Sequence, residues 1–343
     1  MLSVLYSVAF LEHKPPFPHP ERPDRLLLAL EAVKRSGVNI ELAEPRSGSV
    51  EDLHRVHEPD YVARVARYVE SGVSLIDSDT YLSPGTMRAA LAAAGASLQA
   101  AELAARGERA FALVRPPGHH AGRRGRAMGA PTQGFCLFNN AALAVARLLE
   151  LGLRRVAVVD FDAHHGNGTQ EIFYSDPRVL HIDLHEDPTT LYPGTGFPVD
   201  VGEGEGEGTK VNVVLPPGSS DDVYALAVEE IVVPLLGEFK PDALVFSAGF
   251  DAFDGDGLTH LKAGERAFQR LGEVAGEIGA RRVAVILEGG YSEGLEFGLP
   301  AFLRTLEGLS VDAPLKRSPE PVLSLAREYV TELKALLRRY WRL

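Results

Sequence analysis

Between Val156 and Gln170 the chain runs Val-Ala-Val-Val-Asp-Phe-Asp-Ala-His-His-Gly-Asn-Gly-Thr-Gln, an apolar β-branched stretch that ends abruptly in carboxylates and imidazoles. On an extended chain, residues two apart project to one side, so Asp160, Asp162 and His164 can converge beyond the end of a single strand. Clustering such groups costs free energy unless they are paired or hold a metal. Carboxylate with imidazole suits a borderline ion such as zinc. Asp251, which closes Ser-Ala-Gly-Phe-Asp after another apolar run, supplies a third ligand; three protein ligands with one open position is the arrangement of a catalytic zinc. His119-His120 follows Arg115-Pro116-Pro117-Gly118, whose prolines and glycine can fix both imidazoles towards the metal. One imidazole can take a proton from water while the other supplies positive charge or a proton for a leaving group. Asp160 and Asn167 are the remaining polar groups able to orient them: a carboxylate raises an imidazole's pKa, whereas an amide orients it with little effect. Tyr291 follows Gly289-Gly290, glycines that let the backbone come close, and its phenol can donate to a developing oxyanion.

These groups need a scaffold that gathers distant segments. Short apolar runs alternate with helical stretches. Strands are expected at 2–9, near 40–42, and at 111–115, 156–161, 179–184, 210–215, 243–247 and 283–287, with helices at 24–36, 84–106, 140–151, 222–238, 264–279 and 322–340. Continuously apolar strands alternating with helices indicate a parallel sheet buried on both faces. In such sheets ligands bind beyond the carboxyl ends of the strands, which is where the unusual residues collect. No linker divides the chain, so one catalytic domain over 1–343 is expected, with a C-terminal helix (about 319–343) packed on it. The alternation of Gly and Glu over 202–208 lacks the Lys and Ser/Thr of a phosphate loop and is expected to be a mobile loop or a tight surface turn.

With 45% apolar and 24% charged residues, the composition is that of a soluble globular protein. A net charge of −12 argues against nucleic acid or an anionic membrane as partner, and Arg123, Arg124 and Arg126 form the only visible basic cluster. The single cysteine, Cys136, excludes an intramolecular disulfide and fits a reducing cytoplasm. No stretch reaches the length of a membrane span.

Six segments together resemble the zinc-dependent histone deacetylase family, which includes acetylpolyamine amidohydrolases and acetoin-utilisation proteins. They are Arg-Pro-Pro-Gly-His-His (115–120), Gly-Phe-Cys-Leu-Phe-Asn-Asn (134–140), Asp-Phe-Asp-Ala-His-His-Gly-Asn-Gly-Thr (160–169), Tyr-Pro-Gly-Thr-Gly (192–196), Ser-Ala-Gly-Phe-Asp (247–251) and Glu-Gly-Gly-Tyr (288–291). They occur in the family's order and, from the His-Pro-Glu-Arg-Pro loop at 19–23 onwards, cover nearly the whole chain. The resemblance implies the α/β arginase/deacetylase fold, a single eight-stranded parallel sheet flanked by helices. It maps Zn2+ (or Fe2+) onto Asp162, His164 and Asp251, the catalytic pair onto His119 and His120, and the electrophilic tyrosine onto Tyr291. Asp160 becomes the partner of His119 and Asn167 that of His120, an asparagine that resembles the class II branch. Phe135 and Tyr192 align with the aromatic walls of an acyl-lysine tunnel, with Gly134 at its narrow floor and Gly290 beside the tyrosine. The family also implies a structural K+ near Asp160, Asp162 and Asp183, although Asp183 stands where many members have Ser.

The implied reaction is hydrolysis of an N-acetyl amide. Polyamine-selective members are similar to one another in a gatekeeper carboxylate seven residues after the last zinc ligand; this chain has Leu258 there, which favours an acetyl-lysine-type substrate. The acidic net charge would attract a cationic polyamine, but a residue in a tunnel mouth outweighs a diffuse field screened by salt. The alternatives are an acetylpolyamine or small acetylated-metabolite deacetylase, a non-catalytic acyl-lysine-binding protein on the same fold, and an arginase-like enzyme with two manganese ions. The oligomeric state is open.

Overall fold

The computed structural model describes residues 1–343. Its strands are β1 (Leu2–Leu5), β2 (Ile40–Ala43), β3 (Arg109–Ala112), a small hairpin of β4 (Ala121–Gly122) and β5 (Gly125–Arg126), β6 (Val156–Asp160), β7 (Val179–Glu186), β8 (Lys210–Leu215), β9 (Ala243–Ala248) and β10 (Val283–Leu287). All but the hairpin join one eight-stranded sheet in the order β2-β1-β3-β10-β9-β6-β7-β8. Every pairing in that sheet is parallel. Strands β6, β9 and β10 are buried at every residue, which explains their continuous Val, Ala, Ile and Leu content: both faces are covered.

The helices are α1 (Pro23–Arg35), α2 (Val50–Leu53), α3 (Pro59–Glu70), α4 (Thr86–Ala105), α5 (Asn140–Glu150), α6 (Asn167–Ile172), α7 (Asp221–Ala227), α8 (Val233–Phe239), α9 (Glu265–Glu277), α10 (Leu299–Leu306) and α11 (Glu320–Leu337). The Ala-rich α4 lies against α5, β3 and β10; small side chains let it approach so closely that it is buried along most of its length. Helices α1, α7, α9 and α10 pack on one another to form the other layer, and α11 lies on β8 and α7. No helix is long and apolar enough to cross a membrane.

Several boundaries differ from the sequence reading. The first strand stops at Leu5 rather than residue 9, because the Ser7 hydroxyl accepts the Ala9 N–H (3.1 Å) and starts a 3-10 helix over Val8–Glu12. The strand placed at 111–115 begins at Arg109 and ends at Ala112, short of Pro116 and Pro117, which lack the N–H a ladder needs. The helix expected at 222–238 is α7 and α8 joined through a π turn at Val228–Val232. The 202–208 stretch is a tight turn, held by Tyr340 donating to Glu207 (2.7 Å) and Trp341 Nε1 donating to Gly208 O (2.7 Å).

One buried charge gives this fold a pH signature. Lys210, the first residue of β8, donates from Nζ to Val179 O (2.8 Å) and Thr209 Oγ1 (2.5 Å), and burial pushes its pKa down to about 7. The unfolded chain takes up this proton near pH 10.5 whereas the folded chain takes it up only near 7, so stability rises with pH between those values, by up to about 5 kcal/mol. Thermal melts between pH 7 and 9 are expected to show this rise and Lys210→Met to flatten it; an unchanged slope in the variant would sink the assignment.

Candidate active site

Five strands that are neighbours in the sheet, β3, β10, β9, β6 and β7, deliver their carboxyl ends to one place. Asp162 and His164 follow β6, and Asp251 follows β9; their ligand atoms all lie within 4.8 Å of one another. His164 Nδ1 is 3.1 Å from Asp162 Oδ1 and 2.9 Å from Asp251 Oδ2. Asp251 Oδ2, although buried, has no aligned hydrogen-bond donor. Burial works against charge on His164, but Asp251 and Asp162 outweigh it and push its pKa up to about 10. Three convergent donors, an unpartnered buried carboxylate oxygen and a marked preference for positive charge fit a divalent cation with one coordination position left open.

His119 and His120 sit beyond β3 with ring centroids 4.0 Å apart. His119 Nδ1 is 3.1 Å from Asp160 Oδ2 and its Nε2 is 3.8 Å from Asp162 Oδ1. Burial disfavours its charge, yet Asp162 and Asp160 raise its pKa well above the ordinary value. His120 Nδ1 lies 2.8 Å from Asn167 Oδ1. Because Asn167 Nδ2 donates to Ala127 O (3.0 Å), the amide oxygen must face His120, so His120 carries its proton on Nδ1 and leaves Nε2 free. Burial, reinforced by His119 and His164, lowers the His120 pKa well below its ordinary value. Two adjacent imidazoles are thus driven apart, one towards the cation and one towards the neutral base.

Tyr291 closes the site after β10. Burial raises its pKa well above 10, so the phenol stays protonated although Arg25 opposes the shift. At Gly289 the backbone approaches closely: its N–H donates to Asp162 Oδ2 (2.8 Å), and a Cβ there would stand 2.4 Å from that oxygen. Gly290, at φ +114, then turns the chain into Tyr291.

A cavity of about 260 Å3 leads to these groups, walled by Phe135, Tyr192, Leu191 and Leu258, with Asp79 among its lining residues. Tyr192 meets the His120 ring edge-on at 5.0 Å, and Phe135 meets Tyr291 likewise at 6.1 Å. At Gly134, φ +54 and a would-be Cβ only 2.5 Å from His120 Cδ2 leave room for no other residue. Asp79 accepts the hydroxyls of Thr132 (2.5 Å) and Thr80 (2.8 Å).

The catalytic, metal-binding and cavity candidates of the sequence are therefore brought to this place. Of the acids expected near a K+, Asp160 and Asp183 meet beside His181, and Asp162 lies with His164 and Asp251. Asp183 accepts the Gly166 N–H (2.8 Å) and faces His185 Nδ1 (2.6 Å).

Other residues at the site were not anticipated. Glu288 Oε2 accepts the N–H groups of Gly118 (2.7 Å) and His119 (3.1 Å) and so sets the His pair. Asp256 accepts the N–H groups of Tyr291 (2.9 Å) and Ser292 (3.0 Å). Arg25 donates to Gly290 O (2.8 Å) and to Glu288 O, and its guanidinium lies 5.1 Å from the Tyr291 ring centroid. Glu21 grips Arg115 through two 2.8 Å bonds within the same buried network. Their signal was present, in the proline-rich 19–23 loop and in Glu-Gly-Gly-Tyr, but nothing local shows that these segments meet.

Comparison with known proteins agrees with this geometry. The histone deacetylase domain model matches residues 19–301. A probable deacetylase of Archaeoglobus fulgidus is 37% identical over 99% of this chain and 98% of its own length. A histone deacetylase-like amidohydrolase of Pseudomonas aeruginosa is 37% identical over 80% of this chain and 73% of its own. The crystal structure of the HDA15 HD domain superposes with a TM-score of 0.89 at 35% identity, covering 99% of this chain and 95% of that one. The chain belongs to the histone deacetylase family and is, with it, a deacetylase among the metal-dependent amidohydrolases.

Proposed function

We propose that this deacetylase hydrolyses the N-acetyl amide of acetyl-lysine-type side chains, with Asp162, His164 and Asp251 holding Zn2+ (or Fe2+) and His119, His120 and Tyr291 as catalytic residues. The observation that carries the substrate reading is the narrow apolar wall of Phe135, Tyr192 and Leu258 leading to the His pair. It suits an unbranched methylene chain that ends in a neutral amide. Asp79 at its mouth is engaged with two hydroxyls, and position 258 is leucine.

Asp162, His164 and Asp251 would hold the ion, which would supply Lewis acidity towards the acetyl carbonyl and towards a water. His120, neutral and donating Nδ1–H to Asn167, accepts that water's proton at Nε2. His119, held cationic by Asp162 and Asp160, supplies positive charge and the proton for the departing nitrogen. Tyr291 donates its phenolic hydrogen to the carbonyl oxygen as charge builds there. The amide C–N bond breaks, water is consumed, and acetate and the amine leave.

The test compares kcat/KM of metal-loaded protein on an acetyl-lysine peptide and on acetylputrescine, with metal counted per chain. The peptide is expected to be preferred with one ion bound. Preference for the polyamine would overturn the reading of Leu258, and two ions per chain would favour the ureohydrolase alternative.

A further inference from the structure

Glu186 ends β7 with its side chain fully buried, in a position the reaction does not use. No lysine or arginine lies within ion-pair distance of it; its one imidazole neighbour is the exposed His260. Both of its carboxylate oxygens are nevertheless engaged. Oε2 accepts the backbone N–H of His260 (2.8 Å), and Oε1 faces His260 Nδ1 (2.7 Å) and the Thr190 hydroxyl (2.9 Å), which is shared with Asp187 O.

Those partners come from the two loops that form the cavity wall. Thr190 immediately precedes Leu191 and Tyr192, and His260 lies two residues beyond Leu258; all three of those side chains line the cavity. The loop carrying Leu258 has little regular structure of its own; beyond Glu186 it is tied to the turn after β8, by Gly218 N–H to His260 O (3.0 Å) and Lys262 N–H to Ser219 O (2.8 Å), and, through Asp256, to the N–H groups of Tyr291 and Ser292. Glu186 is the point where the Tyr192 wall and the Leu258 wall are fastened to each other. Its backbone N–H also donates to Ala163 O (2.9 Å), so the clamp is anchored to the segment between the ligands Asp162 and His164.

We propose that Glu186 is a positioning residue that sets the width of the substrate passage by holding the 187–196 and 252–262 loops together, and so determines which acylated amines can enter. This rests on the reading of that passage as the amide's route. A carboxyl group suits the task because its two oxygens accept several short hydrogen bonds at once, and burial strengthens each of them. Released from it, both loops lose their common anchor while the ligands and the His pair keep theirs.

The experiment uses the full metal-loaded chain as wild type, Glu186→Ala, Glu186→Gln, His260→Ala and Thr190→Val. The substrates are an acetyl-lysine peptide and an acetylated amine carrying a cyclohexyl ring next to the acetamide. Glu186→Ala is expected to raise KM for the peptide about tenfold or more, with kcat within about threefold and metal content unchanged, and to narrow the wild-type preference for the unbranched substrate. Glu186→Gln restores most of the KM because an amide oxygen still accepts; His260→Ala, which keeps the backbone N–H bond, falls between. Unchanged KM and preference in Glu186→Ala, or a fall in kcat alone, overturns the proposal. Amide hydrogen exchange gives a second reading that needs no turnover. Faster exchange is expected in both loops for Glu186→Ala, and in its own loop for each partner variant. If the wild type cleaves neither substrate, the function proposed above fails while the exchange data still decide the clamp; exchange unchanged in the Tyr192 loop overturns it. Should Glu186→Ala fail to fold, the two partner variants carry the same test.

Discussion

Tyr291→Phe is expected to lower kcat by about 10²–10³-fold, the usual cost of removing one preorganised oxyanion donor, with KM and metal content nearly unchanged. The substitution removes only an oxygen. The ring keeps its place between the Arg25 guanidinium and Phe135, and the backbone at 291 remains bound to Asp256. Burial keeps the phenol protonated across the working range, so its loss cannot be rescued by changing pH. Steady-state kinetics beside metal analysis check it. A kcat within threefold of wild type at full metal occupancy would remove Tyr291 from the mechanism and leave the carbonyl to be polarised without it.

The second large effect is expected at the base. His120→Ala should lower kcat/KM by about 10²–10⁴-fold, the range for loss of a positioned proton acceptor. The direction of its pKa makes this separable from a packing defect. His120 works neutral and its pKa is lowered, so wild-type activity holds as pH falls past 6.5 and is lost only when the ring is protonated. Asn167→Asp puts a carboxylate where the amide oxygen now accepts Nδ1–H, 2.8 Å away, which raises the pKa of the imidazole. The acid limb of the pH profile should then move to higher pH. If that limb stays in place in Asn167→Asp, His120 is not the group that it reports.

The Asp162–His164–Asp251 cluster and the His pair were legible in the sequence because each chemical group ends an apolar run. Asp160, Asp162 and His164 share one extended segment, and parallel strands all discharge their carboxyl ends on the same side. The strands were legible for the same reason, burial on both faces having erased any alternation. Pairing partners were not. Asp256 and Glu186 look like ordinary surface acids in the sequence, since nothing near them tells that Tyr291 or His260 returns to meet them. Boundaries failed where a short-range bond competes with the ladder, as at Ser7, and where proline cuts it, as before Pro116. Leu299–Leu306 escaped notice because it is only eight residues long and follows a π turn.

The strand order has a consequence for how this enzyme comes into being. β10 is the last strand in the sequence, yet it lies inside the sheet, paired with β3 on one side and β9 on the other. Until residue 287 has left the ribosome, β2-β1-β3 and β9-β6-β7-β8 are two separate sheets, each presenting a raw apolar edge. The nascent chain therefore passes through a stage in which most of its residues exist but its halves cannot join, the stage most exposed to aggregation and to chaperone capture. The same insertion brings Glu288 and Tyr291 to the His pair, so birth of the complete sheet and birth of catalytic competence are one event.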